Sequence, residues 1–319
     1  MQPFRLTPAC KDYLWGGTRL KTAYGKRTAL PVLAESWELS AHPDGDGVIA
    51  CGEYAGTPFS RFAAEHPEAL GKNCAGAKEF PILLKLIDAA QFLSIQVHPD
   101  DGYARRVEGG QGKTEMWYIV DCEPDAFLYF GFEREISAEE MRRRIADHTI
   151  TEVLHRAPVH RGDVFFIGAG TIHAIGAGIL LAEIQQNSNT TYRVYDFGRV
   201  GADGKPRALH VDKALDVTLR RPADADAPGA GPLAEKADYR LRRLAKCNYF
   251  TVDALALSGR FCREMTGDSF LSVLCTEGEA SLSCGGEAFP LRAGESLFVP
   301  ADAPGFTLAG NGELLLTTV

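Results

Sequence analysis

A mainly β protein, made of two barrel- or sandwich-like units with a small helical insertion in the first, is the fold class this sequence predicts. Three observations lead there. Short apolar stretches recur with glycine, proline and aspartate between them, the spacing of strands and turns rather than of long helices. One strand-and-glycine-turn pattern occurs twice, about 130 residues apart. Between the two copies lies a stretch rich in proline, alanine and glycine with little in it that can pack.

In chain order, the strands that stand out are 92–97, 116–120, 126–129, 164–167, 270–274, 280–284, 296–299 and 313–318. Helical patterning is confined to a few places. Residues 60–70 suit one helix. Residues 137–154 make a better case, with Ser137 as cap, Glu139 and Glu140 in the first turn, and Met141, Ile145, Val153 and Leu154 as apolar contacts. Pro222, Pro228 and Pro232 mark residues 220–234 as a linker or exposed loop. The division expected is therefore 1–219, carrying a helical insertion near 137–155, then the linker, then a second β unit at 235–319.

The repeated pattern is Gly162-Asp-Val-Phe-Phe-Ile-Gly168-Ala-Gly170-Thr-Ile-His173 against Gly294-Glu-Ser-Leu-Phe-Val-Pro300-Ala-Asp302-Ala-Pro-Gly305. It resembles the second signature motif of cupin barrels, in which a glycine turn delivers a metal-binding histidine. The resemblance implies two cupin-like (jelly-roll) β-barrels. Gly305 stands where the first copy has His173, so the second barrel is expected to lack metal ligands.

Composition bounds the function. The chain has 319 residues, 45% hydrophobic and 24% charged, which is the balance of an ordinary globular protein. A net charge of -8 disfavours nucleic acid or an anionic membrane surface as partner, although a locally positive pocket can still take a phosphorylated substrate. No apolar run approaches the roughly 20 residues that span a bilayer. The opening Met-Gln-Pro-Phe-Arg-Leu-Thr-Pro has no signal-peptide pattern, and the eight cysteines include no CxxC pair. Reduced thiols and a cytoplasmic location are expected.

Histidines locate the chemistry. All eight lie before residue 211. His66, His148, His155 and His160 fall in polar or helical segments and suit solvated or capping roles. On the strand ending Gln96-Val97-His98, alternate residues share a face, so Gln96 and His98 project together while Ile95 and Val97 pack behind. Glu115 opens the next strand and His173 follows the glycine turn. Two imidazoles, a carboxylate and an amide oxygen form a suitable ligand set for a first-row metal. The alternative on spacing alone is two separately buried, hydrogen-bonded histidines.

Seven stretches occur in one order: Tyr13-Leu-Trp-Gly-Gly-Thr-Arg-Leu20, Ala34-Glu-Ser-Trp-Glu-Leu-Ser40, Leu83-Leu-Lys-Leu-Ile-Asp88, Leu93-Ser-Ile-Gln-Val-His-Pro-Asp100, Lys113-Thr-Glu-Met-Trp-Tyr118, Gly170-Thr-Ile-His-Ala174 and Gln185-Gln-Asn-Ser-Asn-Thr-Thr-Tyr-Arg-Val-Tyr-Asp196. In order and wording they resemble the short bacterial form of the type I mannose-6-phosphate isomerases, through most of the first 217 residues. The resemblance implies an enzyme interconverting mannose 6-phosphate and fructose 6-phosphate, with one zinc ion per chain held by Gln96, His98, Glu115 and His173. It assigns catalysis to Arg193, with Lys113 and Glu183 beside it. Trp15, Glu35, Lys85, Ser94 and Asn189 fall in or near the pocket, with Lys85 and Ser94 toward the phosphate end.

Two positions depart from that family's pattern. Asn189 replaces an aspartate common there, and an amide cannot act as a general base at neutral pH. Gly112 stands where longer relatives carry histidine. Two other functions remain open on the residues: an iron-dependent cupin oxygenase, disfavoured by Gln96 and by nearby Lys113 and Arg193, and a non-catalytic sugar-phosphate-binding cupin. Monomer and homodimer are both compatible with the sequence. For Arg193 the structural alternative is an ion pair with Asp196 or Glu183, and Asp100 and Asp101 are expected merely to end a strand.

Overall fold

Period-two alternation builds the first unit. On Ile82–Ala89, Glu115–Cys122 and Ile179–Gln186, one set of alternate side chains (Leu84, Leu86, Met116, Tyr118, Ala182 and Ile184 among them) is apolar and joins one cluster. The intervening set carries Lys85, Glu115, Trp117 and Glu183 on the other face. Both faces are covered, and every residue of Ile82–Ala89 and Ile179–Gln186 is buried. The computed structural model describes residues 1–201 and 204–319.

These strands form the middle of a six-stranded sheet in the order Val164–Ile167, Glu115–Cys122, Ile179–Gln186, Ile82–Ala89, Glu35–Leu39, Ala9–Lys11. A five-stranded sheet packs on it, ordered Leu154–Pro158, Phe127–Phe132, His173–Ala174, Ile95–Val97, Tyr192–Tyr195. Leu128 and Phe130 of the second sheet meet Trp117, Ile119 and Leu181 of the first in a shared apolar cluster. The back of the five-stranded sheet, with Ile95, Val97, Tyr192 and Val194, is covered by Met141 and Ile145 of the helix Ala138–Ala146 and by Ala214 and Leu215 of the helix Val211–Val217.

The C-terminal unit is an eight-stranded sheet whose inner side chains (Leu255, Phe261, Val273, Leu282, Leu297 and Leu314 among them) fill one apolar cluster. The repeat read from sequence is a structural one. Gly162 and Gly294 both take φ of 88°, a conformation that favours glycine, and each leads into a four-residue strand, Val164–Ile167 and Ser296–Val299. At Gly305, where the first copy has His173, an added Cβ would meet the Glu264 carboxylate, which would have to swing aside.

The molecule is mainly β, as the alternation predicts, with several differences in detail. Residues 60–70 form two short helices, Phe59–Glu65 and Pro67–Leu70, because Pro67 starts a new helix rather than continuing the old one. Ser137 accepts the Glu140 N–H as expected, but the helix stops at Ala146 and a 3-10 turn, Ile150–Val153, follows. Of the strand expected at 92–97, Ile95–Val97 forms. The strands expected at 270–274 and 280–284 are one, Leu271–Cys284. Asp100 caps an unforeseen helix, Asp101–Val107, accepting the Tyr103 N–H at 2.7 Å. The proline-rich stretch ends in a strand, Gly231–Glu235, which pairs with Tyr239–Lys246, so its last residues are sheet rather than linker. All eight cysteines are free thiols. Among the described residues no helix is long and apolar enough to cross a membrane.

Candidate active site and metal centre

The two sheets of the first unit place their polar side chains against each other. In the five-stranded sheet Gln96 lies between His173 on one side and Arg193 on the other, each its direct ladder partner. From the facing sheet come Glu115, and beside it Glu183, paired across the ladder with both Trp117 and Lys85. His98 continues the Gln96 strand by one residue, and period two returns it to the same face.

His98, Glu115 and His173 each offer a ligand atom within 4.8 Å of the others. Glu115 Oε1 lies 3.7 Å from His98 Nε2 and 3.4 Å from His173 Nε2. Two ligands held about 2 Å from one tetrahedral ion stand roughly that far apart. Both imidazoles are oriented from behind: Nδ1 of His98 meets the Thr190 carbonyl at 2.9 Å, and Nδ1 of His173 meets that of Thr171 at 2.9 Å. A proton on each Nδ1 leaves Nε2 with its lone pair turned inward, the arrangement metal-binding histidines use. Gln96 Nε2 is 3.3 Å from His173 Nε2, and the isosteric flip of that amide aims Oε1 at the same place.

Electrostatics fit a cation. Burial together with Lys113 pushes the His98 imidazole down to about 4, and burial lowers His173 as well, so both stay neutral ligands. Burial alone would raise Glu115, but the Lys113 ammonium, with Nζ 2.7 Å from Oε2, holds its carboxyl well below the usual range. The contact lacks hydrogen-bond geometry, and neither carboxylate oxygen of Glu115, fully buried, accepts a hydrogen bond. Oε2 faces the Lys113 ammonium, so the oxygen still to be completed is Oε1, which is turned toward both imidazoles.

Beside this group runs a buried chain of charges. Lys85 Nζ is 3.4 Å from Glu35 Oε2, 3.3 Å from Glu183 Oε1, and over the Trp37 ring at 4.9 Å. Two indoles orient the carboxylates: Trp37 Nε1 donates to Glu35 at 2.7 Å and Trp117 Nε1 donates to Glu183 at 2.9 Å. Burial works against the charge of Lys85, yet Glu35 and Glu183 outweigh it and raise its pKa. Lys113 Nζ reaches within 3.8 Å of the same Glu183 oxygen.

Placed against the sequence expectations, Gln96, His98, Glu115, His173, Lys113, Glu183, Glu35 and Lys85 come together. Arg193 joins them at the edge, half-buried, with Nη1 on the Ala208 carbonyl and Nε buried without a partner. It makes neither ion pair considered for it, because Asp196 is taken by Arg199 and Arg207. Burial and the nearby Arg207 charge lower its pKa. Trp15 is buried in the cluster that contains Trp117, and Ser94 is buried two residues before Gln96. Lys85, expected toward the phosphate end, is paired with two carboxylates, Glu35 and Glu183. Asn189 is exposed and donates to Asp44 Oδ2 at 2.9 Å, outside the buried group. At Gly112 any Cβ would meet the backbone of Asp100 and Asp101 at 2.6 Å, so this chain has no room for a side chain there.

Several contributors escaped sequence reasoning. Trp37 bonds Glu35 two residues along its own strand, and Trp117 reaches Glu183 through cross-strand register. Asp101 accepts bonds from Gly112 N, Gln186 Nε2 and Tyr249, linking the loop before Lys113 to the C-terminal unit.

Comparison with known proteins agrees with this geometry. Residues 3–119 match the phosphomannose isomerase type I catalytic domain, and residues 241–319 match the mannose-6-phosphate isomerase cupin domain. A mannose-6-phosphate isomerase of Streptococcus mutans is 36% identical over 315 residues, covering 98% of this chain and 97% of that protein. Mannose-6-phosphate isomerase ManA of Bacillus subtilis is also 36% identical, over 99% of this chain and 98% of its own. The crystal structure of a mannose 6-phosphate isomerase from Bacillus subtilis superposes with a TM-score of 0.94 at 33% identity, covering 100% of both chains. With its cupin-type β units, its buried His–Glu–His group and relatives matched end to end, the chain belongs to the type I phosphomannose isomerase family.

Proposed function

We propose that the protein is a zinc-dependent aldose–ketose isomerase that interconverts mannose 6-phosphate and fructose 6-phosphate through an enediol or enediolate. The observation that carries the metal part is Glu115: a fully buried carboxylate, facing two imidazoles that present Nε2, with both oxygens accepting no hydrogen bond. Gln96, His98, Glu115 and His173 would hold the ion. When bound, zinc supplies a Lewis acid beside the C1 and C2 oxygens.

The chain's own residues do the rest. Starting from the aldose, a base takes the C2 proton, the C1 oxygen gains a proton, and the enediol forms. The O2 proton then leaves as C1 is protonated, giving the ketose with no net change in atoms. Glu183 and Lys113 are the candidates for the proton carrier; they lie 3.8 Å apart and share the environment of Glu115. Arg193, whose guanidinium has no carboxylate partner among the described residues, would stabilise the oxygen on which negative charge grows. Lys85 acts as a positioning residue, keeping Glu35 and Glu183 in place. Trp15, Glu35 and Ser94 would line the sugar site, and Asn189 has no part in it. The unit 1–219 would carry the chemistry and 235–319 would support it.

The test is a coupled assay of mannose 6-phosphate conversion, before and after chelation and then with zinc restored. Activity that vanishes and returns supports the reading. An absence of turnover in protein shown to contain zinc would overturn it, and iron as the ion bound stoichiometrically by purified protein would overturn the zinc assignment.

A further inference from the structure

A cavity of about 230 Å³ opens beside the site, lined by Asp12, Tyr13, Leu14 and Trp15 on one side and by Arg199 and Arg207 on the other. We propose that this cavity receives the substrate's phosphoryl group, with Arg199 and Arg207 as its anion ligands and Asp196 as the residue that positions them. The inference rests on the sugar-phosphate reading above and adds to it the place where phosphorylated and free sugars are told apart.

Its position is suitable from both walls. Arg207 and Arg199 lie close enough to Arg193 for their charges to act on it, and Arg193 is the ladder partner of Gln96. On the opposite wall Tyr13, an exposed residue, lies close enough to Glu35 and Lys85 for their charges to act on it. Trp15 stacks on Tyr13 with ring centres 5.5 Å apart, and shares a cluster with Trp117, whose ring meets that of His173 at 5.2 Å. The cavity is therefore linked to the metal group through packed indoles without being part of it.

Its chemistry is suitable too. Asp196, 6% exposed, is gripped by Arg207 through Nε at 2.8 Å and Nη2 at 2.6 Å, and also by Arg199 Nη2. Arg199 is further tied to the Phe92 carbonyl. A guanidinium has five donors, so these bonds fix both groups while leaving N–H bonds for a ligand. Among the described residues three arginines (193, 199 and 207) stand against Asp196 and the lining Asp12, a positive surplus in a chain of net charge -8. Lys85 is paired with two carboxylates, Glu35 and Glu183, and Lys113 with Glu115 and Glu183, so neither has charge to spare, whereas Arg199 and Arg207 share the single carboxylate of Asp196.

The experiment uses zinc-loaded full-length protein. Arg207→Ala is expected to raise KM for mannose 6-phosphate roughly 10- to 100-fold, as loss of charge-assisted bonds does, with kcat within about threefold. Arg207→Lys should recover part of the loss. Inorganic phosphate, as a competitive inhibitor, should weaken by a similar factor, while Arg221→Ala, an arginine outside the cavity, changes neither. Unchanged KM and phosphate inhibition in both Arg207→Ala and Arg199→Ala would overturn the proposal, as would a loss confined to kcat. If Arg207→Ala does not fold, Arg207→Lys decides: weaker phosphate inhibition at an unchanged melting temperature supports the site, and unchanged inhibition rejects it. Calorimetric titration of inorganic phosphate into wild type and Arg207→Lys separates this from the isomerase reading, because an anion site that depends on Arg207 in a protein without turnover leaves the site standing and the isomerase fallen.

Discussion

Lys85 and Glu183 are direct partners across the central ladder, with Nζ 3.3 Å from Oε1 and both side chains sealed from solvent. Glu35 completes the group. Removing the cation would leave two buried carboxylates without their counter-charge, a loss of about 3–5 kcal/mol for a broken buried pair. Lys85→Met should lower the urea midpoint accordingly, and adding Glu183→Gln should restore part of it. Equal midpoints for wild type and Lys85→Met would show that the network contributes nothing to stability.

Metal should stabilise the fold as well as support turnover. An ion bound at 1,000 times its dissociation constant adds about 4 kcal/mol to the native state. Chelation should therefore lower the melting temperature of the wild type. In Glu115→Gln or His173→Ala it should change little, since those proteins should already contain less than stoichiometric metal by atomic absorption.

Arg193 is expected to act on the barrier rather than on the fold. Arg193→Ala should lower kcat by roughly 10²–10³, the size of effect seen when one oxyanion donor is lost. The melting temperature should move little, because the Arg193 side chain forms no ion pair among the described residues. A kcat close to wild type would remove it from the chemistry.

Asp101 provides a pH test away from the metal group. Burial raises its pKa, but hydrogen bonds from Gly112, Gln186 and Tyr249 outweigh this and hold its carboxyl below the ordinary value of 3.8. A depressed carboxyl contributes stability above its unfolded pKa and loses it as pH falls through the folded one. The stability gap between wild type and Asp101→Asn should thus be level above about pH 5 and close below about pH 4. A gap that widens on acidification would contradict this.

What the sequence discloses follows from the range of each interaction. Gln96 and His98 were legible because two residues along a strand share a face, and His173 because its glycine turn is a local signal. The partner of Lys85 was not, since Glu35, Lys85 and Glu183 sit on three strands and meet only through register. For Asp196, an ion pair with Arg193 was one structural alternative, and the fold gives it Arg199 and Arg207 instead. The short helix Asp101–Val107 was hidden because Pro99-Asp100-Asp101 ends a strand and caps a helix at once. The strand Gly231–Glu235 was hidden because an edge strand tolerates the glycine and proline that argued against it.

The six-stranded sheet has a chemical face and an apolar face, and the second determines how the first behaves. Leu84, Leu86 and Ile184 share a cluster with Phe270, Phe298 and Leu315 of the C-terminal unit, and Phe298 stacks on Phe4 at 5.1 Å. The C-terminal unit is thus the back plate against which Lys85, Glu115 and Glu183 are held. Cutting the chain after residue 219 should bare that face to water and give an aggregating fragment instead of a smaller enzyme. Substitutions at Phe298, remote from any reacting atom, would then register first as a loosened grip on metal.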